Sequence, residues 1–344
     1  MNSKMLFVLL KVGFEPNEIL GLILENLIEI KNLFVEYKVE ATLQAPKTVF
    51  AVNDLSLEIK QGEIFSIAGE SGCGKSTLAK AIMRLVEVKS GEISSIAGEN
   101  ILKLSKSDLK KFRQKTQIIF QNPYSSLNPK MKIYDILKEP LIINKELESL
   151  KNLTKKDLDK IIIDTIKQVG LDENVLSLYP HEFSGGQRQR IAIARALVLN
   201  PKFIVADEPV SALDVSIQAQ IINLLKELKE KFNLTFLFIS HDLSVIKYLS
   251  DRVGIMYLGE IVEIGTSEEI FNSPKHPYTE ALLSANPGSE IEKIILKGDL
   301  PSQSDLPKGC KFHTRCPKVM EICKTVDPSL TTFSETHCVH CHLY

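Results

Sequence analysis

The apolar run Ile64-Phe65-Ser66-Ile67-Ala68 leads straight into Gly69-Glu70-Ser71-Gly72-Cys73-Gly74-Lys75-Ser76. Thr77–Val86 then places Leu78, Ile82 and Leu85 on one helical face. A buried strand, a Gly-rich loop and a helix, in that order, belong to an open α/β sheet and leave little other choice of fold. Glycines let backbone N–H groups turn inward around a β-phosphate. Lys75 is placed to reach the β- and γ-phosphates, the Ser76 hydroxyl to ligate Mg²⁺, and the helix start to favour the anion. Cys73 reads as a small filler of the loop rather than a nucleophile.

Two further buried strands, Phe203–Ala206 and Thr235–Ile239, flank the helix Ser216–Phe232, an order that implies a parallel sheet. Polar residues end these strands at the edge where open α/β sheets bind ligands. Asp207 ends the first and suits Mg²⁺. Glu208 beside it is the candidate general base for an attacking water, a role that contributes roughly 10²–10⁴-fold. Gln121 ends Ile118-Ile119-Phe120 and is placed to hold Mg²⁺ or the lytic water. His241 ends Phe236–Ser240 and is placed to hydrogen-bond a γ-phosphate. A strand-end His taken alone is more often structural, and it is the company of the other motifs that favours function.

Around this core, residues 26–68 read as short strands, Ile28–Val35, Val49–Val52 and Leu55–Ile59, forming an antiparallel β-subdomain. Residues 133–180 are helical in pattern and rich in Lys and Glu. With the helix Gln187–Leu199 they read as a helical subdomain, about 122–200, inserted in the core. After Pro274 periodicity fades and Pro, Gly, Ser and Cys become frequent. The expected fold is therefore α/β: a P-loop NTPase core with a mostly parallel sheet, the two subdomains, and a small Cys-rich C-terminal domain. The expected boundaries are an extension over 1–25, a nucleotide-binding domain over 26–288 and the Cys-rich domain over 289–344.

Lys and Arg number 42 against 43 Asp and Glu, a balance that argues against a nucleic-acid binder. The most apolar stretch, residues 5–24, is interrupted by Lys11, Glu15, Glu18 and Pro16, so no membrane span is expected. The apolar core Met5–Leu10 is too short for a signal peptide. These features predict a cytoplasmic chain.

Taken in order, six motifs resemble the ATP-binding-cassette ATPases: the cradle at 69–76, Gln121, Ser184-Gly185-Gly186-Gln187, Asp207-Glu208, Ser211-Ala212-Leu213-Asp214, and His241. The resemblance covers about residues 26–288. It implies two cassettes dimerised head to tail, with ATP and Mg²⁺ held between one chain's cradle and the other's signature. The cradle residues Gly69 to Thr77 would bind ATP in cis. Ser184, Gly185, Gly186, Gln187 and Asp214 would act in trans on the partner's nucleotide, with the helix from Gln187 aiming its positive end at the γ-phosphate. The signature follows Phe183 where many relatives have Leu, a change expected to affect packing only. The family stacks an aromatic on adenine; Tyr37 is the first match and Phe50 the second.

A narrower likeness lies in Phe120–Pro129, His276–Ser284 and Asp207–Ile222, which are similar to the dipeptide/oligopeptide importer ATPases, and in particular to the second of their two ATPase subunits. This implies a peripheral location on the cytoplasmic face of the membrane, a second homologous ATPase, two membrane permeases and an external peptide-binding protein. Nickel and other small-solute importers share the motifs. DNA-repair and translation ATPases are rivals of another class; their long inserts or paired cassettes are not seen in this sequence.

Five of the six cysteines fall in the last 35 residues, as Cys310-x5-Cys316-x6-Cys323 and Cys338-Val339-His340-Cys341. In a cytoplasmic chain such a cluster suggests metal, either zinc or an iron–sulfur cluster. His313, His337, His340 and His342 keep zinc in play. The resemblance points to a [4Fe–4S] cluster on Cys310, Cys316, Cys323 and Cys341, with Cys338 the alternative fourth ligand.

Overall fold

A computed structural model describes residues 26–41, 44–95, 98–146, 150–286 and 292–344. The expected extension over 1–25 and the boundary near residue 288 lie outside the described residues.

Two strands, β1 (Asn26–Ala41) and β2 (Gln44–Lys60), pair antiparallel. The two short strands expected at 49–52 and 55–59 are thus one, with Asp54 in the left-handed region at φ 45°. Then come β3 (Ile64–Ala68), α1 (Lys75–Ile82), β4 (Ser90–Ser95), α2 (Lys106–Lys115), β5 (Thr116–Ile119) and α3 (Pro123–Ser126). Helices α4 (Ile133–Ile143), α5 (Lys155–Gln168) and α6 (Gly185–Leu197) follow, and with α3 they form the inserted helical region. The chain returns to the sheet through β6 (Phe203–Asp207), α7 (Val215–Phe232), β7 (Thr235–Ile239), α8 (Leu243–Leu249), β8 (Arg252–Tyr257) and β9 (Glu260–Thr266). Helices α9 (Ser267–Asn272) and α10 (Pro277–Ser284) precede a short hairpin, β10 (Leu330–Thr332) and β11 (Cys338–His340).

The main sheet has the order β10-β11-β9-β8-β3-β7-β6-β5, and β2-β1-β4 form a separate antiparallel sheet. From β8 through β5 all neighbours are parallel. Strands β3, β6 and β7 are buried at every position, which is why they read as continuous apolar runs. Truncating one of their rings, such as Phe203 to Ala, would cost about 3–5 kcal/mol. Because β3, β5, β6 and β7 run the same way, their C-terminal ends meet at one edge. The residues that follow these ends are Gly69, Gln121, Glu208 and His241, so a single topological fact assembles the site.

The cysteine-bearing tail does not stand apart as expected. Its strand β11 pairs with β9 through Cys338↔Ile264 and Val339↔Glu263, so the tail extends the main sheet. Upstream, Phe312 is buried against Tyr257 (5.3 Å between ring centroids), Tyr278 (5.4 Å) and His276 (5.6 Å). Among the described residues, no helix is long and apolar enough to cross a membrane.

Candidate active site

The loop after β3 closes on itself. Lys75 is buried, and its ammonium donates to the carbonyls of Gly69 (2.8 Å) and Glu70 (2.9 Å). Gly74 lies at φ 111°, and a Cβ there would sit 2.0 Å from the Ala51 carbonyl oxygen, so β2 presses directly on the cradle. Cys73 is buried and burial pushes its thiol pKa up, which suits a filler and not a nucleophile. Ser71 and Gly72 face solvent, and Thr77 sits in the first turn of α1.

The Ser76 hydroxyl donates to Asp207 across 2.8 Å. Asp207 is 6% exposed, and burial raises its pKa against the pull of Ser76. A desolvated carboxylate beside a hydroxyl is a hard oxygen pair that a divalent cation would stabilise, so these residues fit Mg²⁺. Glu208 holds the left-handed region at φ 47°, a costly backbone for a non-Gly residue, of the kind that gathers at functional sites. Its N–H is held by the Ile239 carbonyl at 2.9 Å, which ties β6 to β7 at this point. The Gln121 amide donates to one Glu208 oxygen at 2.7 Å, and His241 Nδ1 lies 3.4 Å from the other. Five of the predicted residues therefore meet in two adjacent clusters, Ser76 with Asp207 and Glu208 with Gln121 and His241. Gln121 reaches Glu208 and not the Ser76–Asp207 pair in this arrangement.

Ser184, Gln187 and Asp214 are exposed. Ser184 caps α6: its hydroxyl accepts from the Gln187 N–H (3.4 Å), and Gln187 Oε1 accepts from the Ser184 N–H (3.0 Å). The signature is thus a capping box as well, a signal legible in its Ser-x-x-Gln spacing. Gly185 and Gly186 let α7 approach. A Cβ on Gly186 would meet Ile217 Cγ2 at 2.5 Å, and one on Gly185 would meet Leu213 at 3.2 Å. Asp214 caps α7 by accepting from the Ile217 N–H at 3.0 Å, and that bond holds its carboxyl below the usual range. Phe183 is buried, as expected of a packing residue. Of the two aromatic candidates, Tyr37 is partly exposed on β1 opposite Val49, whereas Phe50 adjoins Ala51 at the cradle.

Three side chains that no local pattern announces also reach the loop. The Tyr278 hydroxyl accepts from the Glu70 N–H (2.9 Å), Arg315 pairs with the Glu70 carboxylate (3.0 and 3.1 Å), and Gln303 donates to the Gly72 carbonyl (2.7 Å).

The metal expectation for the tail fails. Among the described residues, no three His, Cys, Asp or Glu side chains form a group that could hold a metal ion. Burial pushes the Cys310 thiol up to about 12, with Cys323, Cys341 and Cys316 adding to the shift, and burial also raises Cys316 and Cys341. Cys338 instead contacts the Thr332 hydroxyl. One ring nitrogen of each tail histidine engages a nearby group: His313 the Cys310 carbonyl, His337 Glu263, His340 the Pro328 carbonyl and His342 the Val326 carbonyl.

Residues 52–211 match the family model described as ABC transporter, and residues 262–323 match the oligopeptide/dipeptide transporter C-terminal region. The oligopeptide transport ATP-binding protein AppF of Bacillus subtilis is 47% identical over 93% of this chain and 98% of its own length. The chain belongs to the oligopeptide/dipeptide branch of the ABC transporter family. Its chemistry is that of the ABC ATPases, ATP hydrolysis coupled to transport. OppF of Haemophilus influenzae is 46% identical, covering 92% of this chain and 97% of its own. The dimeric post-hydrolysis structure of the ATP-binding cassette MJ0796, with ADP and Pi bound, superposes with a TM-score of 0.61. It is 31% identical and covers 70% of this chain and 98% of that one.

Proposed function

We propose that this chain is the ATP-hydrolysing subunit of a membrane importer for di- or oligopeptides. The observation that carries the reading is the convergence of Ser76, Asp207, Glu208, Gln121 and His241 on one sheet edge, in a chain whose relatives are named as oligopeptide and dipeptide transport ATP-binding proteins. We read residues 26–288 as the nucleotide-binding unit and residues 289–344 as the C-terminal unit.

In this reading Lys75 and the backbone of Gly69 to Thr77 hold the phosphates, and an aromatic from β1 or β2, Tyr37 or Phe50, stacks on adenine. Ser76 and Asp207, with Gln121, would hold Mg²⁺, which when bound neutralises phosphate charge. Glu208 accepts a proton from water as the water oxygen bonds to the γ-phosphorus and the bond to the β-phosphate oxygen breaks. Gln121 orients Glu208, and His241 donates to the γ-phosphate. Catalysis is then mostly positioning and charge stabilisation. Ser184, Gly185, Gly186, Gln187 and Asp214 complete the site of a second cassette, where the α6 N-terminus adds about 0.3–1 kcal/mol of attraction to an anion. The partner is a homologous ATPase or a second copy, docked with it on two permeases at the cytoplasmic face of the membrane.

The reading is tested by reconstituting the chain with a partner ATPase, two permeases and a peptide-binding protein in vesicles. ATP-dependent peptide uptake is expected. ATP turnover that drives uptake of nickel but of no peptide would reassign the cargo, and no nucleotide binding at all would remove the enzyme reading.

A further inference from the structure

The phosphate loop has few internal supports at its middle. Its ends are set by β3 and α1, and the Glu70 carbonyl is held from inside by the Cys73 N–H at 3.3 Å and the Lys75 ammonium at 2.9 Å. A cradle binds an anion well only when its N–H groups already point inward, and exposed loop backbone does not hold such a shape unaided. The supports come from more than 200 residues away: the pairs Glu70–Tyr278, Glu70–Arg315 and Gly72–Gln303 are separated by 208, 245 and 231 positions.

These supports are themselves anchored. Tyr278 is fully buried in α10, its ring against Tyr257 and Phe312. Arg315 lies three residues after Phe312, its N–H bonded to the Phe312 carbonyl at 3.0 Å, and its side chain is only 11% exposed. Its Nη1 reaches both Glu70 carboxylate oxygens, at 3.1 and 3.0 Å, so the two groups form an ion pair. Gln303 bridges two parts of the nucleotide end: its side chain holds Gly72, and its carbonyl accepts from the Phe50 N–H at 3.0 Å.

We propose that residues 303–315 brace the phosphate loop, with Arg315 and Gln303 as positioning residues that hold Glu70 and Gly72 in the nucleotide-accepting shape. The brace rests on the nucleotide-binding reading above, and it gives the tail a task in that site that is independent of metal. It also makes nucleotide affinity sensitive to anything that shifts the tail.

The test is ATP titration of the purified full-length chain, with wild type, Arg315→Met, Arg315→Lys, Gln303→Ala, Glu70→Gln and the double variant Arg315→Met/Glu70→Gln. Arg315→Met removes the guanidinium but keeps the packing stem, and Gln303→Ala alters a surface side chain, so both test the brace with little change to the core. Arg315→Met should weaken ATP binding roughly three- to tenfold, the scale of one ordinary hydrogen bond. Arg315→Lys should recover part of that loss. The double variant should be no worse than its singles, because both remove one pair. Gln303→Ala should raise KM for ATP with kcat nearly unchanged, and amide exchange should rise within residues 69–76. Wild-type affinity in both Arg315→Met and Gln303→Ala would overturn the brace. So would losses in Arg315→Met and Glu70→Gln that simply add, or that track a lower Tm. Absence of ATP binding by wild type would instead remove the underlying site reading.

Discussion

The Ser76 hydroxyl donates to the Asp207 carboxylate across 2.8 Å, joining the first turn of α1 to the end of β6. Asp207→Asn keeps the size and a hydrogen-bonding partner for Ser76 but removes the charge. Because burial already disfavours that charge, the variant should melt no lower than wild type. Its ATP affinity should lose most of its Mg²⁺ dependence and its turnover should fall by about two orders of magnitude or more. Titrations with Mg²⁺ and with EDTA, beside a thermal melt, check both halves.

Glu208→Gln should reduce ATP turnover by roughly 10²–10⁴-fold while ATP still binds, since the amide cannot take the proton from water. Bound ATP should then persist and hold a dimer detectable by size-exclusion chromatography. Normal turnover in this variant would remove Glu208 as the base.

Ser184→Arg removes the α6 cap and puts a cation at a surface that the proposed dimer offers to its neighbour's nucleotide. Mixed assemblies with one altered cassette should lose hydrolysis at the partner's site more than ATP binding at the altered chain's own site. If only the altered chain's own site fails, the head-to-tail arrangement is wrong. The lost cap should cost about 1 kcal/mol of stability, readable by denaturant unfolding.

Gly74→Ala and Gly72→Ala should differ sharply although they lie two residues apart. Both have positive φ, at 111° and 80°. An added Cβ meets the Ala51 carbonyl oxygen at 2.0 Å in the first case and nothing within 4 Å in the second. Gly72→Ala should cost about 1–2 kcal/mol of backbone strain and still bind ATP. Gly74→Ala must displace β2 or the loop, and should lose ATP binding.

Buried His276 and half-buried Glu260 tilt stability against pH in opposite directions. Burial holds His276 at about 4, against the pull of Glu263, so between pH 4 and 6.5 the unfolded chain binds more protons and stability falls as pH drops. Burial pushes Glu260 up to about 7, despite Lys311 and Asn53, so between pH 4.5 and 7 the folded chain binds more protons and stability falls as pH rises. Relative to wild type, His276→Asn, which keeps an N-cap for α10, should therefore fare better at pH 5 than at pH 7. Glu260→Gln should fare better at pH 7 than at pH 5. Melting curves of the three proteins at both values would reveal any failure of these signs.

Much of the site is legible before folding because each motif is local. A strand running into a loop and helix, or a strand ending in Asp207-Glu208, carries its own geometry in a few residues, and the apolar runs reveal which strands are buried. The capping box at Ser184–Gln187 is legible on the same grounds. The cysteines show the limit of such reading. Their spacing suggests a ligand set, but whether side chains converge depends on how the tail folds onto β9, and here the described residues form no metal-holding group. The pairing of the tail with the main sheet is hidden for the same reason: two residues of β11 paired with β9 are invisible to any periodicity argument.

By itself, the sequence determined the parallel-sheet core, the phosphate cradle and the identity of the polar residues at the strand ends, because alternation, burial and loop chemistry act over a handful of neighbouring positions. Only the tertiary structure decided what touches the cradle from outside. Tyr278, Gln303 and Arg315 meet Glu70 and Gly72 because the tail wraps back over the sheet edge and buries Phe312. Hydrogen bonds and ion pairs reach only about 3 Å, so contacts between residues more than 200 positions apart exist only once the core has brought the chain back on itself.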